Sequence, residues 1–169
     1  MQTSISFFLG AVLAIVIAIA IRKSAYKHSG NYDERQIYIR GKGYKIGFIT
    51  LLVFSCAYIF LCVGFEELLQ YGYLWNTISM FLSLTIFAVF SIWNDAFFSL
   101  KQNPKKYLVL CAVVIACNSI GIVEVISGRI TALDLIFSYK IINALCALSF
   151  LVIVVTIIIK IMSDRKEQD

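Results

Sequence analysis

The sequence predicts an all-α integral membrane protein of five transmembrane helices, on three observations. The first is composition: 60% of the 169 residues are apolar, 15% are charged and one is proline, against about 25% charged in soluble domains. With a mean hydropathy of +0.86, this excludes intrinsic disorder, collagen-like repeats and an extended nucleic-acid-binding tail. The second is that apolar residues gather in five long stretches. The third is that lysine and arginine fall almost entirely on alternate connections between those stretches.

A helix rising 1.5 Å per residue needs about 20 mainly apolar residues to cross roughly 30 Å of hydrocarbon. The predicted spans are 4–21, 46–65, 72–93, 107–126 and 133–160. They are continuously apolar rather than alternating, which disfavours barrel strands. As helices they satisfy their own backbone hydrogen bonds within lipid. The connections are too short for a second folded unit, so residues 1–169 read as one membrane domain. Span one has no basic residue before it and is followed by Arg22 and Lys23. That order predicts a retained span rather than a cleaved secretion signal.

Thirteen basic residues lie on one side of this arrangement and two on the other. Cytoplasmic loops carry the excess, so the N-terminus is expected outside and the C-terminus in the cytoplasm. The net charge of +5 then sits beside membrane ends. It points to anionic lipid head groups as partners and away from nucleic acid.

Residues 22–45 form the longest polar connection, expected to be a cytoplasmic interfacial helix that leads into span two. Ser29 or Asn31 is the expected cap, with Asp33 and Glu34 in the first turn, where negative charge meets free backbone N–H groups. Gly41 and Gly43 weaken such a helix; they predict either a bend or a close approach by another helix. Tyr26, Tyr32, Tyr38 and Tyr44 suit the lipid–water interface. The segment reads either as an anchor for span two or as a docking surface on which Asp33, Glu34 and Arg35 bind a partner.

The run Asp33, Glu34, Arg35, Gln36 and Ile37, with Gly41, Lys42 and Gly43 before a span, resembles a motif in small multispanning membrane proteins of Gram-positive bacteria, mostly of unknown function. Those families often have alanine after the lysine, where this chain has Gly43. The resemblance implies a bacterial plasma-membrane location and supplies no activity.

Ionisable groups at membrane depth are costly and therefore informative. Glu124 near the outer end of span four and Lys140 near the start of span five are expected to pair across a helix hairpin. Thr131 and Asp134 have the spacing of a capping box, which puts the start of span five near Ala132. Asn118, Asn143, Asn76 and Ser79 share this outer level. With Glu124 and Lys140 they read either as a shallow pocket for a small solute, ion or peptide, or as hydrogen-bonding glue between helices. On the inner side, Asp95 is expected to meet Lys101, Lys105 or Lys106, and Gly10, Ala14 and Ala18 line one close-packing face of span one.

Cys56, Cys62, Cys111, Cys117 and Cys146 all fall within spans and read as small apolar residues. Only Cys62 and Cys146, both toward the outer side, are placed to pair. Neither a redox pair, a metal-ligand cluster, a nucleophile elbow nor a phosphate loop is discernible, and no cofactor is implied. The expectation is a noncatalytic accessory, regulatory or immunity-type subunit that works by contact with another membrane protein or with itself. The alternative is a small-solute or ion transporter, or its binding subunit, built around Glu124.

Overall fold

The computed structural model describes residues 32–99, 104–138 and 140–166. The expected span 4–21, with Gly10, Ala14 and Ala18, and the expected caps Ser29 and Asn31 lie outside the described residues. All regular structure among the described residues is helical: α1 Glu34–Gly64, a 3-10 turn Glu66–Tyr71, α2 Gly72–Trp93, α3 Pro104–Asn118, α4 Ile120–Ile126, α5 Ala132–Ile136 and α6 Lys140–Lys166. Three helical stretches are long and apolar enough to cross a membrane, and a fourth qualifies if the bent pair α3 and α4 is one span.

α1 is one uninterrupted helix of 31 residues, about 46 Å long at 1.5 Å per residue. It therefore outruns a hydrocarbon core of roughly 30 Å. Its cap is Asp33, within a reciprocal box: the Asp33 carboxylate accepts from Gln36 N at 2.6 Å, and Gln36 Oε1 accepts from Asp33 N at 3.4 Å. Neither glycine interrupts the helix. Gly41 faces open space, whereas a Cβ on Gly43 would lie 3.1–3.2 Å from Phe87, Ser91 and Phe90 of α2. Of the two readings of these glycines, close approach holds, and at Gly43 alone. One turn on, Gly47 brings the backbones nearer still, and Ser83 Oγ donates to Gly47 O at 2.6 Å.

α2 coincides with the third expected apolar stretch. The fourth is not one straight helix: α3 begins at the sole proline, a favoured first-turn position, and meets α4 at 54°. The cause lies in Asn118 and Ser119. Their side chains donate to Val114 O at 2.8 Å and Ile115 O at 2.6 Å, taking carbonyls that continuing backbone N–H groups would use. The fifth stretch is also divided. Thr131 and Asp134 form the expected capping box, but α5 ends at Ile136 and α6 starts anew at Lys140.

Among the described residues, α1 packs on α2, α2 on α6, and α6 on α3 and α4, so α6 is central and α1 is at the edge. Among the described residues, about half of the large apolar side chains face outward, including Phe60 and Val63 of α1, and few are fully buried. That is the inverse of a water-soluble core. Hydroxyls inside the helices, among them Thr50, Thr77, Thr85 and Thr156, donate to the carbonyl four residues earlier, which satisfies them without water.

Candidate functional site

The two ends of the molecule have different chemistry. At the end where α1 begins, α2 terminates in a Schellman motif: Asp95 N donates to Ile92 O at 3.1 Å and Ala96 N to Ser91 O at 2.8 Å. Asp95 occupies the left-handed position at φ +56°, where glycine is usual. The following loop exposes a run of carbonyls, and two side chains of α1 cover them. Gln36, 7% exposed, donates through Nε2 to Asp95 O at 2.7 Å and Phe98 O at 3.2 Å. Arg40, one turn along, reaches Phe97 O at 3.3 Å and Ala96 O at 3.4 Å. The Arg40 guanidinium also lies 4.5 Å from the centre of the Tyr32 ring.

The Asp95 carboxylate meets Lys160 of α6 at 3.2 Å, and Lys160 also meets Asp164 at 2.8 Å. This partner of Asp95 comes from the last helix; the expected one, Lys101, Lys105 or Lys106, falls outside the side chains that the structure describes. Of Asp95, Lys160 and Asp164, Lys160 is the most shielded. These groups border a cavity of about 140 Å³ together with Phe97, Phe98 and Ile161. Directly beneath the loop, Ser91 is fully buried, and its Oγ has no hydrogen-bond partner.

Glu34 and Arg35 are exposed on the first turn of α1, while Asp33 is engaged as its cap. The three candidate partner-binding residues therefore divide into one that orders the helix end and two that project from it.

At the opposite end Lys140 and Glu124 form a salt bridge, with side chains 31% and 25% exposed. Gly121 permits this packing, since a Cβ there would lie 2.9 Å from Leu135 and 3.5 Å from Lys140 Cβ. A groove of about 260 Å³ runs beside Glu124, lined by Ser119, Ser127, Arg129, Ala116, Ile120 and Val123. The other expected members of the outer cluster lie elsewhere. Asn118 is engaged on its own helix, and Ser79 is fully buried, donating to Trp75 O at 2.8 Å. Asn76 and Asn143 are exposed and do not line the groove. Asp134, in α5, accepts from the backbone N–H of Thr131 at 3.0 Å and from the Thr131 hydroxyl at 2.8 Å.

The turn from α1 to α2 is fastened by aromatic donors. Tyr58 OH donates to Leu68 O at 2.9 Å, and Trp75 Nε1 donates to Phe54 O at 2.8 Å. Tyr71 contacts Phe137, which joins this turn to the α5 side. All five cysteines, Cys62 and Cys146 included, are free thiols.

The residues that the sequence reading left without a role are Gln36, Arg40, Gly47 and Lys160. A signal existed for three of them. Gln36 stands three residues after Asp33 and four before Arg40, and Gly43 with Gly47 repeats the small-residue spacing noted in span one. Comparison of the chain with protein families, with curated proteins and with solved structures found no match. Fold and site together define an all-helical chain with several helices of membrane-spanning length and a tightly fastened polar end.

Proposed function

We propose that this chain is a noncatalytic multipass protein of a bacterial plasma membrane, crossing it five times with its N-terminus outside and its C-terminus in the cytoplasm. It acts as an accessory, regulatory or immunity-type subunit through contact with another membrane protein. The observation that carries this reading is the construction of the N-terminal end of α1. Its cap and the Gln36 and Arg40 latch make Glu34 and Arg35 a rigid extension of a span. A partner docked there is coupled mechanically to the α2–α3 loop and, through Asp95, to α6. Support for the orientation comes from the same contacts, which gather Arg35, Arg40, Lys42, Lys45, Lys160, Arg165 and Lys166 at one end and leave Arg129 and Lys140 at the other.

The test is Glu34→Ala with Arg35→Ala, keeping Asp33 so that the helix cap survives. Loss of a co-purified membrane protein, with thermal stability unchanged, is expected. An unaltered set of captured partners overturns the proposal. A second reading, a binding subunit for a small solute, has one observation in its favour: the groove beside the Glu124 and Lys140 pair at the α3–α4 bend.

A further inference from the structure

Between α1 and α2, at the end where α1 begins, lies a groove of about 560 Å³ lined by Ile39, Lys42, Lys45, Ile46, Ile49, Phe90 and Asn94. Its volume falls within the roughly 300–1,000 Å³ typical of small-molecule sites. Its chemistry is ordered along α1. Lys42 and Lys45, with Ile39 one turn before them and Asn94 at the end of α2, stand toward the polar end, and Ile46, Ile49 and Phe90 follow toward the middle of the helices. Among the described residues, no acidic side chain lines it.

Two cations near this groove are already engaged. Lys160 is held between Asp95 and Asp164, and Arg40 is spent on loop carbonyls. Lys42 and Lys45 form no ion pair among the described residues; Lys42 lies 4.6 Å from the centre of the Tyr38 ring, at the exposed side of the groove. A second, almost wholly apolar groove of about 480 Å³ adjoins the first at Phe90 and Asn94 and runs past Ile86, Val89 and Trp93. Two apolar channels thus meet below a pair of unpaired ammonium groups.

We infer that this is a binding site for one anionic phospholipid, its phosphate between Lys42 and Lys45 and its two acyl chains in the adjoining grooves. The inference rests on the membrane reading above, with this end at the cytoplasmic face. Basic recesses between spanning helices on that face suit anionic head groups. The acyl grooves are what separate a lipid from a free phosphate ion.

The full chain, purified in detergent and stripped of lipid, is followed by thermal unfolding through its tryptophan fluorescence. Phosphatidylglycerol in mixed micelles is titrated against phosphatidylcholine and against inorganic phosphate. Stabilisation by phosphatidylglycerol alone is expected. Lys42→Gln with Lys45→Gln should weaken the half-saturating lipid concentration about thirtyfold, from roughly fivefold per lysine. Lys42→Arg with Lys45→Arg should retain binding, and Ile46→Trp, which fills the groove but keeps both charges, should lose it.

Arg165→Gln with Lys166→Gln removes the same charge outside the groove and should change nothing. An equal loss in that variant reduces the effect to general surface attraction and overturns the site. An equal response to inorganic phosphate overturns the lipid in favour of a free anion. Carbonate extraction of cell membranes keeps the two readings apart. A protein released by carbonate refutes the membrane reading, whereas one retained but indifferent to phosphatidylglycerol refutes the lipid site alone.

Discussion

Replacing Gln36 by methionine keeps the length of the side chain and removes its amide. Three hydrogen bonds disappear: the two donated to Asp95 O and Phe98 O, and the 3.4 Å bond that Gln36 Oε1 accepts from Asp33 N, long enough to add little. At about 1 kcal/mol net for each of the two donated bonds, the loss is about 2 kcal/mol. For a chain of this size that corresponds to an unfolding temperature lower by about 4–8 °C. Gln36→Glu tests the sign of the contact. An ionised carboxylate beside two carbonyl oxygens is repelled, and a protonated one can donate to either. The folded chain therefore raises the pKa of the introduced group above the ordinary value of about 4.3. Stability of that variant is greatest below this value and is lost as pH rises through the higher folded pKa. The assay is thermal unfolding in detergent across pH, with limited proteolysis of the loop after Asp95 as the local readout. If Gln36→Met melts with the parent protein and the loop is cut no faster, the latch does not hold that end together.

Two further outcomes follow from the geometry. Asp95→Gly removes the left-handed strain, roughly 1 kcal/mol, and an ion pair whose carboxylate is 56% exposed and so contributes little; thermal unfolding should show a neutral or stabilised protein, and Asp95→Val a clear loss. Lys140→Met should destabilise by about 1–2 kcal/mol, reduced from a fully buried pair because both side chains are partly exposed, and adding Glu124→Gln should recover part of it. The coupling read from that double-mutant cycle should be absent if the two groups act independently.

Helix type and approximate placement were legible because they depend on apolar length, a local property. The Gly72–Trp93 helix is bounded where its apolar run begins and ends. The pairing of Glu124 with Lys140 was also legible, since a short hairpin brings them together whatever the rest of the chain does. The bend at Ser119 was harder to see. Asn and Ser in an apolar stretch serve equally as interhelical glue or as competitors for their own helix carbonyls, and only the local backbone chooses. Asp33, Glu34 and Arg35 attracted notice as charges, yet the side chain that reaches farthest into the structure is the neutral Gln36. Its acceptors lie 59 and 62 residues away in the chain.

Composition and charge order were enough, on their own, to determine an all-helical chain with helices of membrane-spanning length, because hydrophobic length and backbone self-satisfaction are counted along one segment at a time. The tertiary structure alone decided which glycine admits a neighbour, which carbonyls Gln36 and Arg40 cover, and that Asp95 meets Lys160. Those outcomes depend on helix neighbours and rotation. An apolar helix surface, interchangeable toward lipid and toward protein, carries little record of either.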